Sequence, residues 1–226
     1  MTVLLVLITF GTFLLIDYFR TRNAGRKPAL HAYEARHRAD AIPRLRPALV
    51  GGFAVPDNLR YHPGHTWALS ESPKLVRVGM DDFASKLTGK VESITLPARG
   101  QWIRQGQKVC TIHRDGHAAE IVSPIEGSVT DINEAVVRDP KLALRDPYGD
   151  GWLMTVEAPD AKTSFRNLLG GALARRWMDE AAARLQLRMP TPLGALAQDG
   201  GVAVSNVASH LPDDKWLELA KEFFLS

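Results

Sequence analysis

The chain has 226 residues, 45% apolar and 23% charged, with Lys+Arg 28 against Asp+Glu 25 and a net charge of +3. This is close to the soluble-globular average, which excludes wholesale disorder, and the surplus charge is too small to mark a nucleic-acid-binding protein. One cysteine, Cys110, excludes an internal disulfide and any multi-cysteine zinc or iron–sulfur site.

Thr2 to Ile16 carries no charge, and Asp17, Tyr18 and Phe19 come next, before Arg20. At about 1.5 Å per helical residue the stretch from Thr2 to Phe19 reaches about 27 Å, close to the roughly 30 Å of a hydrocarbon core. A cleavable signal peptide needs a basic n-region and a small-residue cleavage site. Here Met1 leads straight into the apolar run, and Tyr18 and Phe19 close it. Residues 1–19 are therefore expected to form a retained single-pass transmembrane anchor. Between Arg20 and Arg46 stand eight basic residues and two acids, Glu34 and Asp40, a local charge of +6 that leaves the remainder at −3. Positive charge on this side of an anchor is expected to place the C-terminal domain in the cytoplasm; the membrane expected from context, not from charge, is a bacterial inner membrane. Arg20, Arg22, Arg26 and Lys27 are expected to meet anionic lipid headgroups. No aromatic platform interleaves them, which argues against nucleic acid.

Residues 20–57 read as a basic cytoplasmic linker, interrupted by Pro28, Pro43, Pro47, Gly51, Gly52 and Pro56, with a short helix around 29–39. Beyond Leu59 the pattern becomes short strand-like runs at 75–78, 91–96, 109–112, 119–122, 129–132 and 152–156, punctuated by Gly and Pro. Such spacing predicts a small β sandwich or barrel. A short helix at 81–87 interrupts the series, with Asp81 and Asp82 at its N-terminus. Leu168, Leu169, Ala172, Leu173, Trp177, Ala181 and Leu185 then recur at helical spacing, predicting an amphipathic helix over 164–187 that Gly170-Gly171 bends. Residues 189–209 read as irregular. Pro212-Asp213-Asp214 starts a last helix with Trp216, Leu217, Ala220, Phe223 and Phe224 on one face. That stripe either docks on its own domain or serves a partner or a membrane surface.

The residues from about 59 to 160 resemble the H proteins of glycine cleavage systems. The landmarks are Tyr61-His62-Pro63-Gly64-His65-Thr66-Trp67, Val78 to Ala84, Leu87-Thr88-Gly89 and Leu96 to Gly100. They continue with Ser123 to Gly127, Asn133-Glu134-Ala135, Asp139 to Leu142 and Asp146 to Leu153. The resemblance implies a mainly β fold, a lipoyl/biotinyl-carrier-like barrel-sandwich hybrid, here preceded by one transmembrane helix and followed by C-terminal helices. The expected organisation is an anchor at 1–19, a linker at 20–57, the H-protein-like domain at 58–160, an amphipathic helix at 161–188 and an extension at 189–226.

In H proteins one lysine on a hairpin tip receives lipoate through an amide. Counting back from Ser123-Pro124, that position falls on Gly116, and no lysine lies between Lys108 and Lys141. The resemblance thus implies a degenerate carrier: no catalytic residue, no cofactor-binding residue and no metal ligand is assigned. Locally, Arg114-Asp115-Gly116 predicts a three-residue loop, a type I turn closed by glycine in the left-handed region. His113 and His117 flank it and could face each other, but two imidazoles and Asp115 make an incomplete metal site. His62 and His65 are expected to satisfy local hydrogen bonds, Cys110 to be a core thiol, and Asp146 and Asp150 to fix a turn.

The function expected from these features is a non-catalytic, membrane-anchored structural subunit, not an enzyme. Its partners would be other subunits of a bacterial inner-membrane complex, respiratory or photosynthetic. The rival is a membrane-bound lipoyl carrier of a glycine-cleavage-type system, modified at another lysine; a third reading is a ligand-binding or sensory module using the tip histidines.

Overall fold

The computed structural model describes residues 48–189 and 211–225, all within the compact unit Leu45–Ser226. The expected anchor, Arg20 to Lys27 with their expected headgroup contacts, the helix expected around 29–39, and all but Met189 of the stretch 189–209 expected to be irregular lie outside the described residues. Among the described residues no helix is long and apolar enough to cross a membrane.

Two sheets build the body. The larger has the order β3-β4-β5-β11-β10-β7, formed by Arg60–His62, Thr66–Ser70, Leu75–Met80, Met154–Glu157, Gly127–Ile132 and Trp102–Ile103. The smaller has the order β6-β8-β9, formed by Ser93–Thr95, Lys108–Arg114 and His117–Val122. All pairs are antiparallel. Alternation sends Val76, Val78 and Met80 of the large sheet, and Cys110, Ile112 and Ile121 of the small one, into one shared apolar core. A mainly β body followed by helices is what the sequence pattern called for.

Helix α1 (Asp82–Thr88) starts as expected: the Asp81 carboxylate accepts the Ala84 N–H at 2.8 Å. Two short helices were not anticipated, α2 (Glu134–Arg138) and α3 (Lys141–Arg145). They occupy the loop whose landmarks carried the resemblance. Trp67 Nε1–H donates to Met80 O at 2.9 Å and Pro147 O at 3.0 Å, tying that loop to the large sheet.

Three expectations need correction. The linker does not extend to 57: β1 (Ala48–Val50) and β2 (Phe53–Val55) form a hairpin around Gly51-Gly52, with Phe53 and Val55 buried. It is fastened by Asp82 Oδ2, which accepts both Ala54 N–H (2.8 Å) and Lys86 Nζ (2.7 Å). Tyr148 OH adds a bond to Ala54 O at 2.6 Å. Second, the helix expected over 164–187 is two helices, α4 (Ala161–Arg166) and α5 (Gly171–Arg188). Between them Leu169 takes extended backbone to bridge Tyr61, exchanging bonds of 2.9 and 2.8 Å. Third, the domain boundary expected at 160 does not divide the core, because Ala174, Met178, Ala181, Ala182 and Leu185 of α5 belong to it.

The last helix, α6 (Asp213–Phe224), docks on its own domain. Trp216, Leu219, Ala220, Phe223 and Phe224 are all buried, while Glu218 and Lys221 face solvent. It packs along β9 and against α1. Apolar burial of this kind drives the docking.

Candidate functional site

The hairpin that holds Gly116 at its tip is β8–β9. Its register pairs Arg114 with His117 and His113 with Ala118, so two residues, not three, make the loop. Asp115 and Gly116 both have positive φ, 46° and 77°, a type I′ turn whose twist matches that of the strands. The Asp-Gly pair carries that signal, since Asp tolerates the left-handed region and glycine adopts it freely. Both turn residues are exposed, and a Cβ built on Gly116 meets nothing within 4 Å.

The register also separates the two histidines. A period of two sends His113 to one face with Ala118 and His117 to the other with Arg114. His113 Nε2 instead shares a 3.2 Å hydrogen bond with Thr95 Oγ1. The facing arrangement that a metal or sensing role at the tip required is absent. Among the described residues no group of three His, Cys, Asp or Glu side chains gathers to hold a metal.

Arg114, two residues before Gly116, points inward and is only 3% exposed. Its guanidinium donates to Thr88 O at 3.2 Å and lies 5.0 Å from the Trp216 ring. Trp216 Nε1–H in turn donates to Leu87 O at 2.9 Å. The hairpin flank, the end of α1 and the first turns of α6 are thereby joined. This arrangement escaped the sequence reading, although Cys110, Ile112 and Arg114 share one strand face and so placed the arginine inward.

His65 stands at a second junction. Its Nδ1–H donates to Asp81 Oδ2 at 2.8 Å, both side chains fully buried. The ring stacks on Phe83 (4.0 Å) and contacts Trp177 (4.6 Å) and Phe223 (5.9 Å). Nε2 has no protein partner. His62 Nδ1 accepts the Gly64 N–H at 3.0 Å, and burial, reinforced by His65, lowers the pKa of His62. His62 is bonded locally, as expected, whereas the His65 ring is bonded through Nδ1 alone, to Asp81. Cys110 is buried, and desolvation pushes its thiol up to about 12, as suits a core thiol. Asp146 Oδ2 accepts the Asp150 N–H at 2.9 Å, fixing the turn between them.

A lipoyl arm needs an amine on the tip. Gly116 offers none, so the residues present do not fit the group.

Comparison with known proteins gives this geometry a lineage. The family model "Glycine cleavage H-protein" matches residues 59–180. The glycine cleavage system H protein of Alteromonas mediterranea is 35% identical over 107 residues, 47% of this chain and 83% of that protein. That of Anaeromyxobacter sp. (strain K) is 30% identical over 126 residues, 56% of this chain and 97% of its own length. The crystal structure of an H protein from Mycobacterium marinum matches 56% of this chain and 98% of that chain, at TM-score 0.47 and 23% identity. Through residues 59–180, this chain belongs to the glycine cleavage H-protein family.

Proposed function

We propose that this chain is a non-catalytic, membrane-anchored interaction subunit built on an H-protein domain that has lost its carrier role. One observation carries the reading: the exposed tip position that bears lysine in lipoyl carriers is Gly116, and residues 109–140 contain no lysine. Amide attachment needs a nucleophilic amine, and a glycine side chain is a hydrogen. What persists is a rigid two-sheet body with its hairpin intact.

Residues 1–19 tether this body to the bacterial inner membrane, with Arg20, Arg22, Arg26 and Lys27 on anionic headgroups and the domain in the cytoplasm. Its partners are other subunits of a respiratory or photosynthetic complex. A tethered domain meets a membrane-bound partner at high effective concentration, so modest docking surfaces suffice.

The test is isolation of the protein from native membranes in mild detergent, with intact-mass measurement and identification of co-migrating subunits. The expected result is a mass without a lipoyl increment and stable co-migration. A lipoyl increment restores the rival carrier reading; a protein that migrates alone removes the subunit reading. Extraction by alkaline carbonate would overturn the anchor.

A further inference from the structure

The docked helix α6 lies outside the family match, which ends at residue 180. In the Anaeromyxobacter sp. (strain K) relative, 126 aligned residues already cover 97% of the protein, leaving no length for a counterpart of α6 and the segment before it. In this chain α6 covers the hairpin flank.

The cover is specific. Trp216 sits between the Leu87 carbonyl and the Arg114 guanidinium. Phe223 packs on Phe83 at 4.9 Å and on the edge of His65. At the far end Phe224 O lies 2.7 Å, and Val122 Cγ2 2.6 Å, from where a Cβ on residue 64 would stand, so this close approach requires Gly64. The spacing 216, 219, 220, 223 places every anchor on one helix face, the pattern by which an amphipathic helix fills a groove. Around the rim Arg188 pairs with Glu222 at 3.3 Å.

We propose that α6 is a removable cis occupant of a helix-docking groove, floored by α1 and β9, and that it closes the hairpin flank against amphipathic helices of other chains. The groove takes a helix with an aromatic anchor over Arg114 and a second aromatic seven residues later on Phe83. Tethered to α5 through residues 189–212, α6 competes as an intramolecular ligand at millimolar-scale effective concentration. The groove opens only when that contact is broken.

The test uses the full chain with a specific protease site placed in the 190–210 segment. The probe is a fluorescent synthetic peptide of residues 211–226. Uncut protein is expected to ignore the probe. After cleavage and removal of the released fragment, the body should bind the probe saturably and keep its near-UV circular dichroism. A peptide carrying Trp216→Ala should bind at least about tenfold more weakly, as a buried aromatic anchor predicts. Three results overturn the proposal: a folded cut body that does not bind, a body that unfolds when the fragment leaves, or uncut protein that binds as well as cut. None of them bears on membrane tethering or on Gly116.

Discussion

Replacing Trp216 gives the sharpest quantitative prediction. The side chain is fully buried and its indole N–H supplies a bond to Leu87 O. Trp216→Phe keeps a ring in the site but leaves that carbonyl without the indole donor, a loss of about 1–2 kcal/mol. Trp216→Ala also leaves a cavity and uncovers the Arg114 guanidinium, and large-to-alanine changes of this type cost about 3–5 kcal/mol. For a body of this size each kcal/mol moves the Tm by about 2–4 °C. The expected order is therefore wild type, then Phe lower by roughly 2–8 °C, then Ala lower by roughly 6–20 °C. Adding Arg114→Met to both backgrounds, as a double-mutant cycle, should show a coupling of about 0.5–2 kcal/mol from the cation over the ring. Differential scanning calorimetry on the full chain reads each of these proteins. If Trp216→Ala melts within a degree of wild type, the indole does not hold the helix. The account of the hairpin flank then fails.

Three further outcomes rest on the same geometry. His62 has a lowered pKa because burial disfavours its charged form. As pH falls below about 6.5 the unfolded chain takes up a proton that the native histidine resists, so stability should fall until the lowered native pKa is passed. Urea midpoints across that window should slope less in His62→Gln, and equal slopes would refute the assignment. Gly116→Ala places a Cβ at φ 77° in open space, so it should cost about 1 kcal/mol through backbone strain alone; a loss several times larger would mean that the tip is packed. Cys110, buried with its thiol pushed up to about 12, should resist iodoacetamide in the native protein and react on unfolding. Native labelling at the rate of a free thiol would contradict its burial.

The sequence reading found the strands that alternate cleanly and the helix capped by Asp81, because period and cap are local signals. It lost elements whose cause is tertiary. Gly51-Gly52 looked like interruption and is instead the turn of β1–β2, recognisable only once Phe53 and Val55 have a core to enter. Leu169 lies in the short link between α4 and α5, where it pairs with Tyr61 as an isolated bridge. At the candidate site the assignment of Gly116 to the attachment position rests on counting back from Ser123-Pro124. The turn type was misread by one residue, and that shift decides on which face His117 lies. The burial of Arg114 was implicit in its strand position, but its cover comes from a helix about a hundred residues later. Long-range partners of that kind leave no mark in a local window.

The β1–β2 hairpin has a mechanical consequence. Any pull reaching the domain from earlier in the chain arrives at Ala48, on the strand with the more exposed pattern. Force applied there opens the three ladder pairs one at a time. It then meets β2, where Asp82, Lys86 and Tyr148 rivet the second strand and its turn to the body. The outer strand is thus the first element to feel such a load, with the riveted second strand standing between it and the core.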